Sequence, residues 1–140
     1  MHASETLKSC LIIETEVEFV QLYEDQPLFA EVDQFLRDLG FMFHRFTTLK
    51  GSTYKPLMTN NKRGSLVSQT SWSDAIYVPD LARLDHLGSP ALLKLAALLH
   101  EIYNSFDLSH LVLAAHDRTF GTTYALRYME LFRSWQGKQT

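Results

Sequence analysis

The 140-residue chain contains one cysteine, Cys10, so no internal disulfide can form, and a reducing cytoplasm is the expected compartment. It contains no run of Lys or Arg, and its formal net charge is -3. Phosphate contacts need clustered cations, so nucleic acid is not an expected partner. No apolar stretch is long enough to span a bilayer; the longest, "PALLKLAALLHEIY", is short and interrupted by charge. The opening "MHASETLKSC" lacks the basic region and apolar run of a signal peptide, so none is expected. The six glycines are scattered and never form GxGxG or a phosphate-binding loop. GxSxG is missing, and His100–Glu101 fails as HExxH because position 104 is Asn.

What is present is ordinary for one globular domain: 46% apolar and 21% charged residues. Residues 11–19 begin apolar and turn acidic. Strand alternation puts Leu11, Ile13, Thr15, Val17 and Phe19 on one face and Ile12, Glu14, Glu16, Glu18 and Val20 on the other. Cys10, beside Leu11 and Ile12, reads as a small buried residue rather than a nucleophile.

"QPLFAEVDQFLRDLG" then predicts a helix over 27–39. Asp25 or Gln26 stands at the cap and Pro27 at the first position. Leu28, Phe29, Val32, Phe35, Leu36 and Leu39 form its apolar stripe, and Gly40 stops it. "FMFHRFTTL" follows as a strand over 41–48, with Phe41, Phe43, Arg45 and Thr47 alternating against Met42, His44, Phe46 and Thr48. Strand, helix and strand make a βαβ unit, which implies a parallel pair and a right-handed crossover.

Residues 50–71 read as a long polar loop that includes "NNKRG". "WSDAIYVPD" gives a third short strand over 74–78, followed by a connector at 80–88. Helices are expected at 90–103, capped by Ser89, and at 108–116 and 122–135. The 90–103 helix is apolar almost all round, which implies burial by its own domain or by a partner.

"ETEVEFVQLYEDQPLFAEVDQFLRDLGF" resembles the C-terminal part of FkbM-family methyltransferases, which use S-adenosylmethionine. "WSDAIYVPD" is similar to that family's last strand, and "LLKLAALLH" to a helical tail. The family's usual Gly after Tyr-Glu is here Asp25. The likeness covers roughly residues 10–105. It implies an α/β fold: part of a Rossmann-like methyltransferase sheet, β-α-β plus a final antiparallel strand, over residues 1–88. A helical extension over 89–140 packs on it.

The resemblance implies an O-methyltransferase. However, the Gly-rich turn and ribose-binding acid that hold the cofactor in such folds are missing. The expectation is therefore a truncated member with no cofactor-binding residues of its own and no tight affinity for S-adenosylmethionine.

Ligands of open α/β sheets bind beyond the carboxyl ends of the strands. Glu16 and Glu18 are thus the acceptor-side catalytic candidates, able to take a proton from a hydroxyl or orient it. The plainer reading is a solvated face of an edge strand. Tyr23 and Trp72 are acceptor-pocket candidates, with Tyr77 and Trp135 beside them; all four also fit ordinary core or rim positions.

The six histidines do not suggest a metal site; His100 with Asp107, and His110 with His116, are the nearest approaches to one. Two other functions remain open. One is a non-catalytic module that dimerises or joins a chain supplying the cofactor half. The other is a small-molecule binder at the Glu16–Glu18 cleft. A homodimer is expected, through residues 11–19, the helix after Pro90, or both.

Overall fold

A computed structural model describes residues 6–54 and 69–136. The chain divides into two compact units, Met1–Asp80 and Leu81–Thr140. After a helical stretch at residues 6–8, the first holds β1 (Ile13–Glu18), α1 (Phe29–Asp38), β2 (Phe41–Ser52) and β3 (Gln69–Pro79). The second holds a 3-10 turn, Leu81–His86, and three helices: α2 (Ser89–Glu101), α3 (Phe106–Phe120) and α4 (Tyr124–Gln136). The mixed α/β class read from the sequence is therefore present.

The sheet order is β1-β3-β2, and β3 is antiparallel to both neighbours. β1 and β2 consequently run in the same direction, but they are not a hydrogen-bonded pair. The first two strands are thus parallel and the third antiparallel, as expected, with β3 lodged between them. Helix periodicity and strand alternation define the βαβ order, but they carry no information about a strand that arrives later.

Local chemistry explains α1. The N-cap is Leu28, not Asp25 or Gln26, so Pro27 precedes the helix instead of opening it. The Leu28 N–H donates to the Glu31 carboxylate at 2.8 Å, which satisfies one of the helix's orphan donors. Gln26 has a different task. Its Oε1 accepts the N–H groups of Leu22 and Tyr23 at 2.9 and 3.2 Å, folding the preceding turn. Asp25 sits in that turn at φ 57°, in the left-handed region that favours glycine. Gly40, at φ 94°, closes the other end, and its N–H donates to the Arg37 carbonyl at 2.9 Å.

The core of this unit is built from Val17, Leu36, Phe41, Ala75 and Tyr77. Phe19, Phe29, Phe43 and Phe46 pack on it, with ring centroids 4.6 Å apart for Phe43 and Phe46 and 5.2 Å for Phe29 and Phe46. Phe46 corrects the simple alternation of β2. The register shifts between Phe43 and Arg45, so Phe43 faces Tyr77 while Phe46 faces Ala75. The extra residue at His44 is a bulge, and it returns Phe46 to the aromatic face. A second shift lies between Phe46 and Leu49. There the Ser73 hydroxyl donates to the Thr48 carbonyl at 2.6 Å.

Phe35, placed on the apolar stripe by periodicity, is instead exposed. Cys10 is half-buried rather than buried and packs against the same core. β2 and β3 both extend into the expected 50–71 loop, and the rest of it, including "NNKRG", lies outside the described residues.

In the helical unit the connector expected at 80–88 contains the 3-10 turn, where Leu84 is buried and Asp85 meets Arg118 at 3.1 Å. α2 is capped by Gly88, so Ser89 and Pro90 are already inside the helix. Leu92, Leu95, Ala96 and Leu99 are buried along it. Asn104, at φ 51°, makes the turn into α3, and Gly121, at φ 68°, ends that helix. Among the described residues no helix is long and apolar enough to cross a membrane.

Candidate functional site

The β1–β3 register decides which of the sequence-based site residues meet. Glu18 lies opposite Trp72, and Glu16 opposite Asp74. Directly opposed residues of an antiparallel pair project from the same face, with Cβ atoms about 4.5–5.5 Å apart. Glu16, Glu18, Trp72 and Asp74 therefore share the face opposite the one bearing Val17, Ala75 and Tyr77. They sit where the carboxyl ends of β1 and β2 meet the beginning of β3. Trp72 is half-buried and Glu16 is exposed.

Tyr23 does not join them. It belongs to the turn organised by Gln26, and 73% of it is exposed. Asp74 is the residue that sequence reasoning missed. Its signal is tertiary: only the register reveals that a carboxylate on β3 faces one on β1. Like charges directly opposite each other destabilise a sheet, so Glu16 and Asp74 together are an electrostatic cost that a packed scaffold has no need to keep.

Among the described residues no group of three or more His, Cys, Asp or Glu side chains converges as a metal site. Nor do they offer a cofactor cradle. The two glycines with positive φ, Gly40 and Gly121, both close helix ends. None stands at the strand-to-helix turn where S-adenosylmethionine needs close backbone approach.

Tyr77, a candidate from the sequence, lies wholly in the core. Burial, reinforced by the neighbouring Asp33 carboxylate, raises its phenol well above the ordinary range. Asp33 also receives Arg37 Nε at 2.7 Å, one turn later on α1. The Tyr77 hydroxyl and Asp33 Oδ1 are both buried without a hydrogen-bond partner among the described residues.

The helical unit contains a buried polar chain that the sequence did not disclose. His116 is 2% exposed, with Nε2 2.8 Å from Ser89 Oγ and Nδ1 2.9 Å from Thr122 Oγ1. Thr122 in turn donates to the Asp117 carboxylate. Carboxylate oxygens only accept, so the direction of the chain is set. Thr122 gives its proton to Asp117, so His116 Nδ1 donates to the Thr122 oxygen, and Nε2 pairs with the Ser89 hydroxyl.

Burial opposes the charge on Asp117. Thr122, the N–H groups of Ala125 and Tyr124, and nearby His116 together outweigh it and lower its pKa. Those two N–H groups open α4, so Asp117 caps α4 from the end of α3. The order Ser–His–Thr–Asp looks like a nucleophile relay, but a ring sealed from solvent cannot meet a substrate. It ties the start of α2 to the α3–α4 corner.

No family model, no curated protein and no solved structure matches the chain.

Proposed function

We propose that the first unit is the acceptor-side half of an FkbM-type O-methyltransferase, and that it works with a cofactor-binding half supplied by other polypeptide. The observation that carries this reading is the sheet order. A last strand running antiparallel is what the resemblance implies for the end of such a domain, and β3 runs antiparallel to both β1 and β2. Asp25 adds support: it takes the left-handed conformation at the position where the family has glycine. In this role Glu16 or Glu18 accepts the proton of an acceptor hydroxyl, Trp72 packs against the acceptor, and Asp74 holds neighbouring polar groups. The bound cofactor would supply the methyl group.

The same geometry supports a heterologous partner. Among the described residues β1 pairs on one side only, with β3. Self-pairing of β1 about a two-fold axis has two phases. In one, glutamates of the two copies oppose each other across the new pair. In the other, the carboxylate face of one copy continues the apolar Ile13–Val17 face of its mate. Both are unfavourable. For the edge of β1 we therefore favour a different strand over a second copy through residues 11–19.

The test is calorimetric titration of S-adenosylmethionine into the chain alone and into its equimolar mixture with the cofactor-binding half of an FkbM-type enzyme. The chain alone should show no binding at about 10 μM, equivalent to roughly 7 kcal/mol. The mixture should form a stable complex on gel filtration and bind the cofactor more tightly than the added half does alone. Tight binding by the chain alone, or no complex, would overturn the reading.

A further inference from the structure

The helical unit encloses a pocket of about 780 Å³ between α2, α3 and α4. That lies within the range of small-molecule sites. Its walls come entirely from the helical unit, so a ligand bound there is independent of the methyltransferase reading.

Five rings line it: His100, Phe106, Tyr128, Phe132 and Trp135. Tyr128 and Phe132, one helical turn apart on α4, are nearly parallel at 12° with ring centroids 6.3 Å apart, so both present the same ring orientation to the pocket. Phe106 meets Phe132 and His100 at centroid distances of 5.2 and 5.0 Å. Within this apolar lining sits one polar pair. His100 Nδ1 is 2.8 Å from the Tyr128 hydroxyl, and both groups are partly buried. Ser109, deeper in, already gives its proton to the Ala96 carbonyl at 2.8 Å. Burial is the main cause that keeps the Tyr128 phenol above its ordinary pKa, so it stays neutral.

The charge pattern narrows the ligand further. No Lys or Arg lines the pocket, while Glu101 does. An anionic ligand, such as a fatty acid, would be desolvated without a counter-ion and would meet a like charge. At the mouth, Trp135 and Leu131 are 49% and 70% exposed, so the opening is apolar and accessible.

We propose that the α2–α3–α4 pocket binds an uncharged planar aromatic molecule bearing a hydroxyl group, which stacks along Tyr128 and Phe132 and hydrogen-bonds to the His100–Tyr128 pair. The parallel Tyr128 and Phe132 rings favour a planar ligand, the polar pair favours a hydroxyl, and the absence of Lys and Arg from the lining, with Glu101 at its edge, disfavours a carboxylate.

Calorimetric titration of the full chain at neutral pH with 1-naphthol and with 1-naphthoate tests this. 1-Naphthol should bind saturably, one per chain, and at least about ten-fold more tightly than 1-naphthoate. Tyr128→Phe should weaken 1-naphthol about ten-fold, as loss of one hydrogen bond does, and leave 1-naphthoate unchanged. Ala97→Trp and Leu93→Trp, at partly exposed lining positions, should each fill the space and abolish binding while near-ultraviolet circular dichroism shows the fold intact. The proposal fails if the two ligands bind equally, or if both filled variants still bind. It also fails if 1-naphthol does not bind, whether the chain is a monomer or light scattering shows a dimer that Leu131→Asp dissociates. In the dimer case a second copy, and no small molecule, is the occupant.

Discussion

The two units handle polar groups in opposite ways. In the sheet unit the aromatic core takes one face, and the other carries Glu16, exposed, with Glu18 and Asp74 half-buried beside the buried Ile76 and Val78. In the helical unit the main polar chain, Ser89–His116–Thr122–Asp117, is turned inward and satisfies itself. Buried polar groups that are fully paired specify a structure; displayed ones that repel each other are retained at a cost. The difference teaches where to look for chemistry. His116 has the side-chain neighbours of a relay and no access, whereas Glu16 and Glu18 have access and no internal partner assigned by the fold.

The comparison can be broken most severely from within. Leu99→Asp places a carboxylate at a fully buried position of α2 and should cost more than about 4 kcal/mol. Denaturant unfolding followed by circular dichroism should then show the helical transition lost. If the tryptophan signal of Trp72 still reports a cooperative sheet transition, the units fold separately; if it vanishes too, they are one cooperative structure.

Phe46→Ala removes a ring that the bulge at His44 brings into the aromatic cluster, at a cost of about 2–4 kcal/mol. A cost below about 1 kcal/mol would mean that the ring is as dispensable as plain alternation suggests.

Asp117→Ala deletes the cap of α4 together with the anchor of the His116 chain, and should cost about 1–2 kcal/mol at neutral pH. The sign of its pH dependence is set by its lowered pKa. The native state holds this carboxylate ionised when the unfolded chain has begun to protonate it, so stability is present above the unfolded value and lost as pH falls through the native one. The variant should therefore lose less stability on acidification than the parent.

Tyr77 and Tyr128 mark the two units at alkaline pH. Both phenols are raised, so the unfolded chain releases their protons first. The stability they lend is complete below the unfolded value near 10 and is lost as pH climbs, at a limiting slope of about 1.4 kcal/mol per pH unit for each group. Tyr77→Phe should flatten the alkaline loss for the sheet unit, and Tyr128→Phe for the helical one.

The smallest effect is expected at the displayed face. Glu16→Gln removes a charge directly opposite Asp74 and should stabilise the chain by about 0.2–1 kcal/mol. A loss of stability would show that the carboxylate is a structural member and not a displayed group.

Much of this was legible in the residues. The spacing of Phe29, Val32, Leu36 and Leu39 specified α1, and Gly40 its end, because these are local effects of helix period and backbone freedom. The alternation of Ile13, Thr15 and Val17 against Glu14, Glu16 and Glu18 assigned the two faces of β1, because side chains of a strand point to opposite sides regardless of what pairs with it. The mixed α/β class came from both.

Only the tertiary structure decided the rest. It lodged β3 between β1 and β2, and so brought Asp74 to Glu16 and Trp72 to Glu18. It bulged β2 at His44, gave Ser89 to His116 instead of to a helix cap, and set His100 against Tyr128, 28 positions later. Each of these joins residues far apart along the chain. Local propensity and period act over a few residues, whereas pairing register and helix packing are settled by burying the whole apolar surface at once.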